Sequence, residues 1–257
     1  MTRPSVIAII PARYGSTRFP GKALAPIKGK PMIQWVYEGA RRSSLLDRVI
    51  VATDDVRIAG VVRSFGGEAL MTSPDHATGT DRIAEAAQSI DCALVVNVQG
   101  DEPLIHPEMI DEAVRPLAAD PSIPLGTVAT AIRDGRELAD PNVVKVVCDA
   151  EGFALYFSRA PIPWDRDRWQ NRSSVAEQGV PAACRKHIGL YVYRREFLLA
   201  FAGMPQTPLE QLEKLEQLRA LERGHRIKVV TTQHESFGVD IPDDLGKILQ
   251  RIDESRS

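Results

Sequence analysis

Three stretches of the chain are almost wholly apolar and rich in β-branched residues: Val6-Ile7-Ala8-Ile9-Ile10, Val49-Ile50-Val51-Ala52 and Ala93-Leu94-Val95-Val96-Asn97-Val98. Runs of this kind, without polar alternation, predict strands covered on both faces, as in a parallel sheet. Between and after them, residues 31–44, 55–64 and 80–90 mix apolar and charged positions at helical spacing. The first half therefore reads βαβαβα, the pattern of an α/β fold with a doubly wound, mostly parallel sheet. Ligands of such sheets bind beyond the carboxyl ends of the strands, here residues 11–22, 53–55 and 99–103. All three segments are rich in polar or charged residues.

From about residue 126 the pattern shortens. Apolar runs at 126–132, 143–148, 153–157 and 187–193 leave little room for crossover helices, which predicts antiparallel pairing in a smaller sheet or flap. Residues 165–185 are polar and are expected to form a mobile loop or excursion. Leu209, Leu212, Leu215, Leu218 and Leu221 recur every third residue, so 208–223 is expected to be one helix with a broad apolar face. The whole chain, 1–257, is expected to be a single domain in which residues about 126–200 form a β-rich subregion.

Composition narrows the partners. With 257 residues, 44% hydrophobic and 26% charged, the chain has the makeup of an ordered globular domain. Lys and Arg number 32 against 34 Asp and Glu, a net charge of -2, so no global field draws in a nucleic-acid polymer. Any anion site must be a local cluster. Cys92, Cys148 and Cys184 are odd in number and lack metal-ligand spacing, which fits buried thiols in a reducing compartment. The first apolar run gives way at once to Pro11-Ala12-Arg13, too short for a signal or membrane segment. A cytoplasmic protein without membrane insertion is expected.

The densest chemical signal is Ile9-Ile10-Pro11-Ala12-Arg13-Tyr14-Gly15-Ser16-Thr17-Arg18-Phe19-Pro20-Gly21-Lys22, a strand followed by a glycine-containing loop with three cations. Backbone N–H groups with Arg and Lys make a phosphate cradle, although a solvated basic loop has the same composition. Five residues separate Gly15 from Gly21 and Ala23 follows Lys22, so this is not the Walker A pattern, and the dinucleotide-binding Gly-x-Gly-x-x-Gly is missing too. Asn97-Val98-Gln99-Gly100-Asp101-Glu102-Pro103 puts acids just beyond a strand, where an Asp can hold Mg²⁺ against phosphate oxygens or merely shape a turn. Asp240 precedes a helix whose start Asp243 and Asp244 suffice to cap. Gly79-Thr80-Asp81-Arg82 reads as a helix start whose Arg82 can face an anion.

These blocks, with Gly29-Lys30-Pro31-Met32, Tyr156-Phe157-Ser158-Arg159 and Leu215-Glu216-Gln217-Leu218-Arg219, resemble the 3-deoxy-manno-octulosonate cytidylyltransferases in order and spacing from residue 6 to about 250. The family pattern usually has Glu where Asp81 stands, a change that keeps the carboxylate and shortens its reach. The resemblance implies a nucleotidyltransferase-like fold, with the β-rich subregion serving sugar binding and dimerisation. It further implies transfer of CMP from CTP to 3-deoxy-D-manno-octulosonate (Kdo), giving CMP-Kdo and pyrophosphate for lipopolysaccharide synthesis, with Mg²⁺ as cofactor and a homodimer as the assembly. Carried over by position, Arg13 and Lys22 bind the triphosphate and Asp101 and Asp240 ligate Mg²⁺. Arg18, Arg82, Gln99, Arg159, His187, Glu216 and Gln217 are assigned to nucleotide or sugar contacts. Without the resemblance, His187 reads as a satisfied strand histidine and Glu216 as a solvated helix position. His76, His106, His225 and His234 read as surface or loop residues. Two other functions fit parts of the pattern: an acylneuraminate cytidylyltransferase, which shares the first loop, and a module that binds CTP without turning it over.

Overall fold

The computed structural model describes residues 3–15, 18–169 and 172–254; Ser16 and Thr17 of the first loop lie outside them. The first half runs β1 (Val6–Ala12), a short hairpin of β2 (Pro26–Ile27) and β3 (Lys30–Pro31), α1 (Met32–Arg41), β4 (Arg48–Thr53), α2 (Val56–Ser64), β5 (Glu68–Met71), α3 (Gly79–Gln88), β6 (Leu94–Asn97) and α4 (Pro107–Ala119). The second half runs β7 (Leu125–Ala131), α5 (Gly135–Ala139), β8 (Lys145–Cys148), β9 (Ala154–Ser158), α6 (Arg172–Glu177), β10 (Arg185–Arg194), α7 (Arg195–Ala202), α8 (Pro208–Glu213), α9 (Leu218–Glu222), β11 (Ile227–Thr231) and α10 (Asp244–Glu254).

Among the described residues the main sheet has the order β11-β7-β10-β6-β1-β4-β5, with a β8–β9 ribbon leaving it at β10. Strands β6, β1, β4 and β5 are mutually parallel, which for β6, β1 and β4 the continuous apolar runs predict. Strand β10 runs antiparallel between β6 and β7. Successive residues of β1 feed opposite faces. Val6, Ala8 and Ile10 join a core beneath α1, α2 and α4, while Ile7 and Ile9 join one beneath α3 and α7.

One expectation needs correction. Residues 208–223 are two short helices, because Lys214 turns to φ 54° and ends α8. A leucine every third residue drifts round a 3.6-residue helix, so the five leucines never shared one face. Leu215 and Leu218 are buried, whereas Leu212 is exposed. The turn instead encloses an ion pair between Arg219 and Glu210 at 2.5 Å, both nearly fully buried. The polar segment 165–185 is an excursion with its own small core, in which Trp169, Val175 and Cys184 pack on Ile132 and Leu138.

The C-terminal helix matters most for the site. Ile248 and Ile252, one turn apart on α10, pack with Val239 over Ala25, Ile27 and Met32, so the helix clamps the preceding segment onto the β2–β3 hairpin.

Lys145 illustrates how tightly the second half is built. It is fully buried, and its ammonium donates to the carbonyls of Asp140 (2.8 Å), Val143 (2.5 Å) and Arg159 (2.7 Å). Lys145→Met keeps the stem's bulk but strips three half-buried carbonyls of their donor, and should lower unfolding stability by about 3 kcal/mol. Urea titration of both proteins measures this, and a loss below about 1 kcal/mol means that the carbonyls find other donors.

Candidate active site

The parallel strands end at a cleft of about 440 Å³ lined by Arg13, Arg18 and Lys22 from the first loop, Thr78, Gly79 and Arg82 from the start of α3, Gln99 and Asp101 from the loop after β6, and Asp240. The first loop is shaped locally. Gly21 adopts a left-handed conformation at φ 71°, and its N–H bonds back to the Tyr14 carbonyl at 2.9 Å. The Tyr14 ring in turn lies 3.4 Å beneath the Arg57 guanidinium.

That turn delivers the Lys22 ammonium to the Asp101 carboxylate (2.6 Å) and the Val239 carbonyl (2.8 Å). The Val239 N–H completes the junction by bonding the Asp101 carbonyl at 2.9 Å. Beside it, Arg18 reaches Asp240 at 3.0 Å. Three segments remote in sequence thus meet at one point, with two carboxylates and two cations facing each other. Gly100 lets the β6 loop approach β1, because a Cβ there would stand 2.7 Å from the Pro11 carbonyl oxygen.

Helix α3 points its N-terminus at the cleft. Its entry is fixed by a capping box in which the Thr78 hydroxyl accepts from the Asp81 N–H and the Asp81 carboxylate accepts from the Thr78 N–H. Asp81 therefore already serves the helix end. Arg82 is buried and held by Asp54 (2.9 Å) and Thr72 (2.5 Å), which aims it without leaving it free to swing. Free N–H groups at a helix N-terminus and a fixed guanidinium suit an anionic ligand.

His76, read from sequence as a loop residue, lines the cleft and pairs with Glu85. Its signal was weak, a lone histidine in the polar stretch before α3. Glu102 stands next to Asp101 but turns inward, where it accepts from the Ser236 hydroxyl at 2.6 Å. Burial pushes its carboxyl up to about 7, with the charge of Asp101 adding to the shift and Ser236 opposing it.

Of the remaining candidates, Gln99 lines the cleft, whereas Arg159, His187, Glu216 and Gln217 are not among its lining residues. Gln99 also donates to the Gly189 carbonyl at 3.0 Å, where the register of β10 shifts between Ile188 and Tyr191. Glu216 meets the Thr80 hydroxyl at the back of α3, and burial raises its carboxyl. Gln217 is buried at the start of α9. The Arg159 guanidinium donates to the carbonyls of Glu213 (2.7 Å) and Pro141 (2.9 Å), tying β9 to α8. His187 sits on β10 with its ring edge-on to Phe157 at 5.1 Å and its Nε2 at 2.9 Å from the Thr127 hydroxyl, which itself donates to the Leu190 carbonyl.

The His187 environment sets a pH dependence. Burial pushes its imidazole down from 6.5 to about 3. The unfolded chain takes up this proton below about pH 6.5 while the folded chain does not until about pH 3. The contribution of His187 is therefore complete above that window and declines within it as pH falls, by up to about 1.4 kcal/mol per pH unit. His187→Gln, which keeps a donor for Thr127, should flatten the acid limb of stability between pH 6 and 4. Parallel denaturation curves for the two proteins across that range would refute this assignment.

The site's geometry has counterparts. The cytidylyltransferase family pattern matches residues 7–227. The 3-deoxy-manno-octulosonate cytidylyltransferase of Geobacter sulfurreducens is 59% identical over 248 residues, covering 96% of this chain and 99% of that protein. The enzyme of the same name from Geotalea daltonii is 60% identical over 247 residues, covering 96% and 98%. A solved structure of CMP:2-keto-3-deoxy-manno-octonic acid synthetase complexed with CTP aligns at a TM-score of 0.89 and 41% identity, covering 98% of this chain and 99% of that one. The chain belongs to the cytidylyltransferase family, among its 3-deoxy-manno-octulosonate cytidylyltransferases.

Proposed function

We propose that this protein transfers CMP from CTP to 3-deoxy-manno-octulosonate, releasing pyrophosphate and supplying activated sugar for lipopolysaccharide synthesis. The observation that carries the reading is the junction of Arg18, Lys22, Asp101 and Asp240 at the mouth of a cleft backed by the α3 N-terminus. Arg13, Arg18 and Lys22 supply the positive charge that a triphosphate needs, and the amide group of Gly79 adds a donor beside it. A hydroxyl of the sugar acid attacks the α-phosphorus in line, and pyrophosphate leaves on the side of the cationic loop. Charge built up on the phosphoryl oxygens meets cations already in position.

Asp101 and Asp240 would hold Mg²⁺. Both present oxygen donors at the open mouth of the cleft, each is now neutralised by one long flexible cation, and hard oxygens are what this ion prefers. When bound, the ion supplies charge neutralisation for the phosphate oxygens. The sugar acid fits the deeper side, toward Gln99, Gly189 and the second-half residues Arg159, His187, Glu216 and Gln217, with Glu216 acting through Thr80. A cytoplasmic homodimer is part of the proposal. In its support, no helix among the described residues is long and apolar enough to cross a membrane. Leu155 and Leu212 also stand exposed on β9 and α8, the two elements that Glu213 joins. Pyrophosphate release measured with CTP and a panel of sugar acids tests the reading; preference for neuraminate by kcat/KM would replace the acceptor, and no release with any acid would replace the activity.

Asp101→Asn and Asp240→Asn each keep side-chain volume and remove one negative charge. Each should lower kcat by about 10²-fold or more at saturating CTP, the scale of a lost metal contact in the transition state. Near-normal turnover at limiting Mg²⁺ would remove that residue from the ligand set.

Gly100→Ala forces the β6 loop off the Pro11 carbonyl and displaces Asp101 with it. Turnover should fall at least about tenfold, since misplacing a catalytic group by a fraction of an ångström is costly. Gly60→Ala on α2, where an added Cβ meets nothing within 4 Å, is the matched control and should leave turnover unchanged. Equal activities of the two variants would show that the close approach does not position Asp101.

A further inference from the structure

His106, Glu108 and His234 form a second cluster of donors on the outer side of the β6–α4 connection. One ligand atom from each residue lies within 4.8 Å of the others. His106 is the N-cap residue of α4, and Glu108 follows in its first turn. His234 arrives from the segment between β11 and α10, 126 residues later, with Nε2 at 3.0 Å from the Glu108 carboxylate. The two imidazoles lie face to face, centroids 3.7 Å apart and planes 10° from parallel. His106 caps α4 through Nδ1, which accepts from the Glu108 N–H in a long contact of 3.4 Å, and an ion bound at either ring nitrogen replaces that cap. Glu112 stands one helical turn beyond Glu108, and its Oε2 is buried with no hydrogen-bond partner among the described residues.

We propose that His106, Glu108 and His234 bind one transition-metal dication of the Zn²⁺ class, separate from the Mg²⁺ carboxylates Asp101 and Asp240. Two imidazole nitrogens and one carboxylate oxygen are the donor set such ions favour over Mg²⁺, and Glu112 or water can complete a tetrahedral shell. Binding requires each ring to turn out of its stack about the Cβ–Cγ bond so that both lone pairs meet at one point. An ion bound at His234 Nε2 takes the place of the contact with Glu108, and the neutral ring keeps its one proton on Nδ1.

The position suggests what the ion does. His234 lies two residues before Ser236, which bonds Glu102 beside Asp101, and six before Asp240. An ion at this cluster pins the 232–240 segment to the start of α4, and so fixes the approach of Asp240 from a point outside the cleft. It is a tether for a carrier of the active site, not a participant in the chemistry.

Isothermal titration of the chelator-stripped full chain with Zn²⁺ alone, in excess Mg²⁺, tests the proposal. One equivalent should bind, and Co²⁺ should give the intense visible band of a four-coordinate site. His106→Gln, Glu108→Gln and His234→Gln should each weaken binding at least about tenfold, while Asp101→Asn leaves it unchanged. The two histidines are partly exposed and Glu108 is exposed, so these variants are expected to fold, and near-unchanged melting curves without metal verify that. Absence of binding would overturn the site, as would binding that survives the His106→Gln/His234→Gln double variant or disappears with Asp101→Asn or Cys148→Ser.

Discussion

The candidate active site is organised by one ammonium group. Lys22, whose side chain is 17% exposed, is held by the Asp101 carboxylate and the Val239 carbonyl. A charge largely withdrawn from water is stable only where acceptors replace the lost hydration. That demand fixes the surroundings: the left-handed Gly21 that turns the loop inward, the buried Val239 that presents its carbonyl, and the α10 contacts that hold Val239 down. Partners 79 and 217 residues away are brought to the same nitrogen. The C-terminal helix thus belongs to the site although none of its side chains lines the cleft.

The sheet supplies the second constraint. Because alternate residues of β1 enter cores on opposite faces, a one-residue slip would exchange the two cores, and the register with β4 and β6 is correspondingly fixed. Fixed register sets Ala12 level with Thr53, so that Asp54 follows just beyond the strand ends while Gly100 lies against the Pro11 carbonyl. Arg82 is then immobilised by Asp54 from a neighbouring strand end, so the guanidinium behind the cleft is oriented before any ligand arrives. Preorganisation of this kind lowers the ordering cost of binding.

Simple periodicity makes part of this fold legible in the sequence. The parallel strands β1, β4 and β6, the cationic loop and the strand-end acid Asp101 are all readable, because a continuous apolar run with charges just beyond it is rarely anything but a buried strand leading into a polar loop. Strand β5 is not, since Glu68-Ala69-Leu70-Met71 is an edge strand half open to solvent and lacks an apolar run. The break at Lys214 is hidden for a different reason. A leucine every third residue looks helical, and nothing local announces that Arg219 and Glu210 will fold back on each other. Arg159 shows the limit for side-chain contacts: nothing in Tyr156-Phe157-Ser158-Arg159 announces that its guanidinium donates to the carbonyls of Pro141 and Glu213. His76 is the converse, a residue without a pattern that the fold carries to the cleft.

The charge arrangement of the site also accounts for a chain that is nearly neutral overall yet suited to a strongly anionic substrate. Lys22 with Asp101 and Arg18 with Asp240 are closed pairs, so the cleft mouth carries little net charge in this state. In the proposed reaction a triphosphate would engage the two cations and a divalent ion the two carboxylates, so each group exchanges one opposite charge for another and none is left bare. The cost of breaking the two pairs is offset within the same site, and both Arg18 and Asp240 are exposed enough to move without disturbing the core. Specificity then depends less on attraction than on completeness. A ligand that supplies only the anion would leave the carboxylates unpaired beside it, and one that supplies only the cation would leave Lys22 and Arg18 facing it, so the geometry favours metal and nucleotide together over either alone.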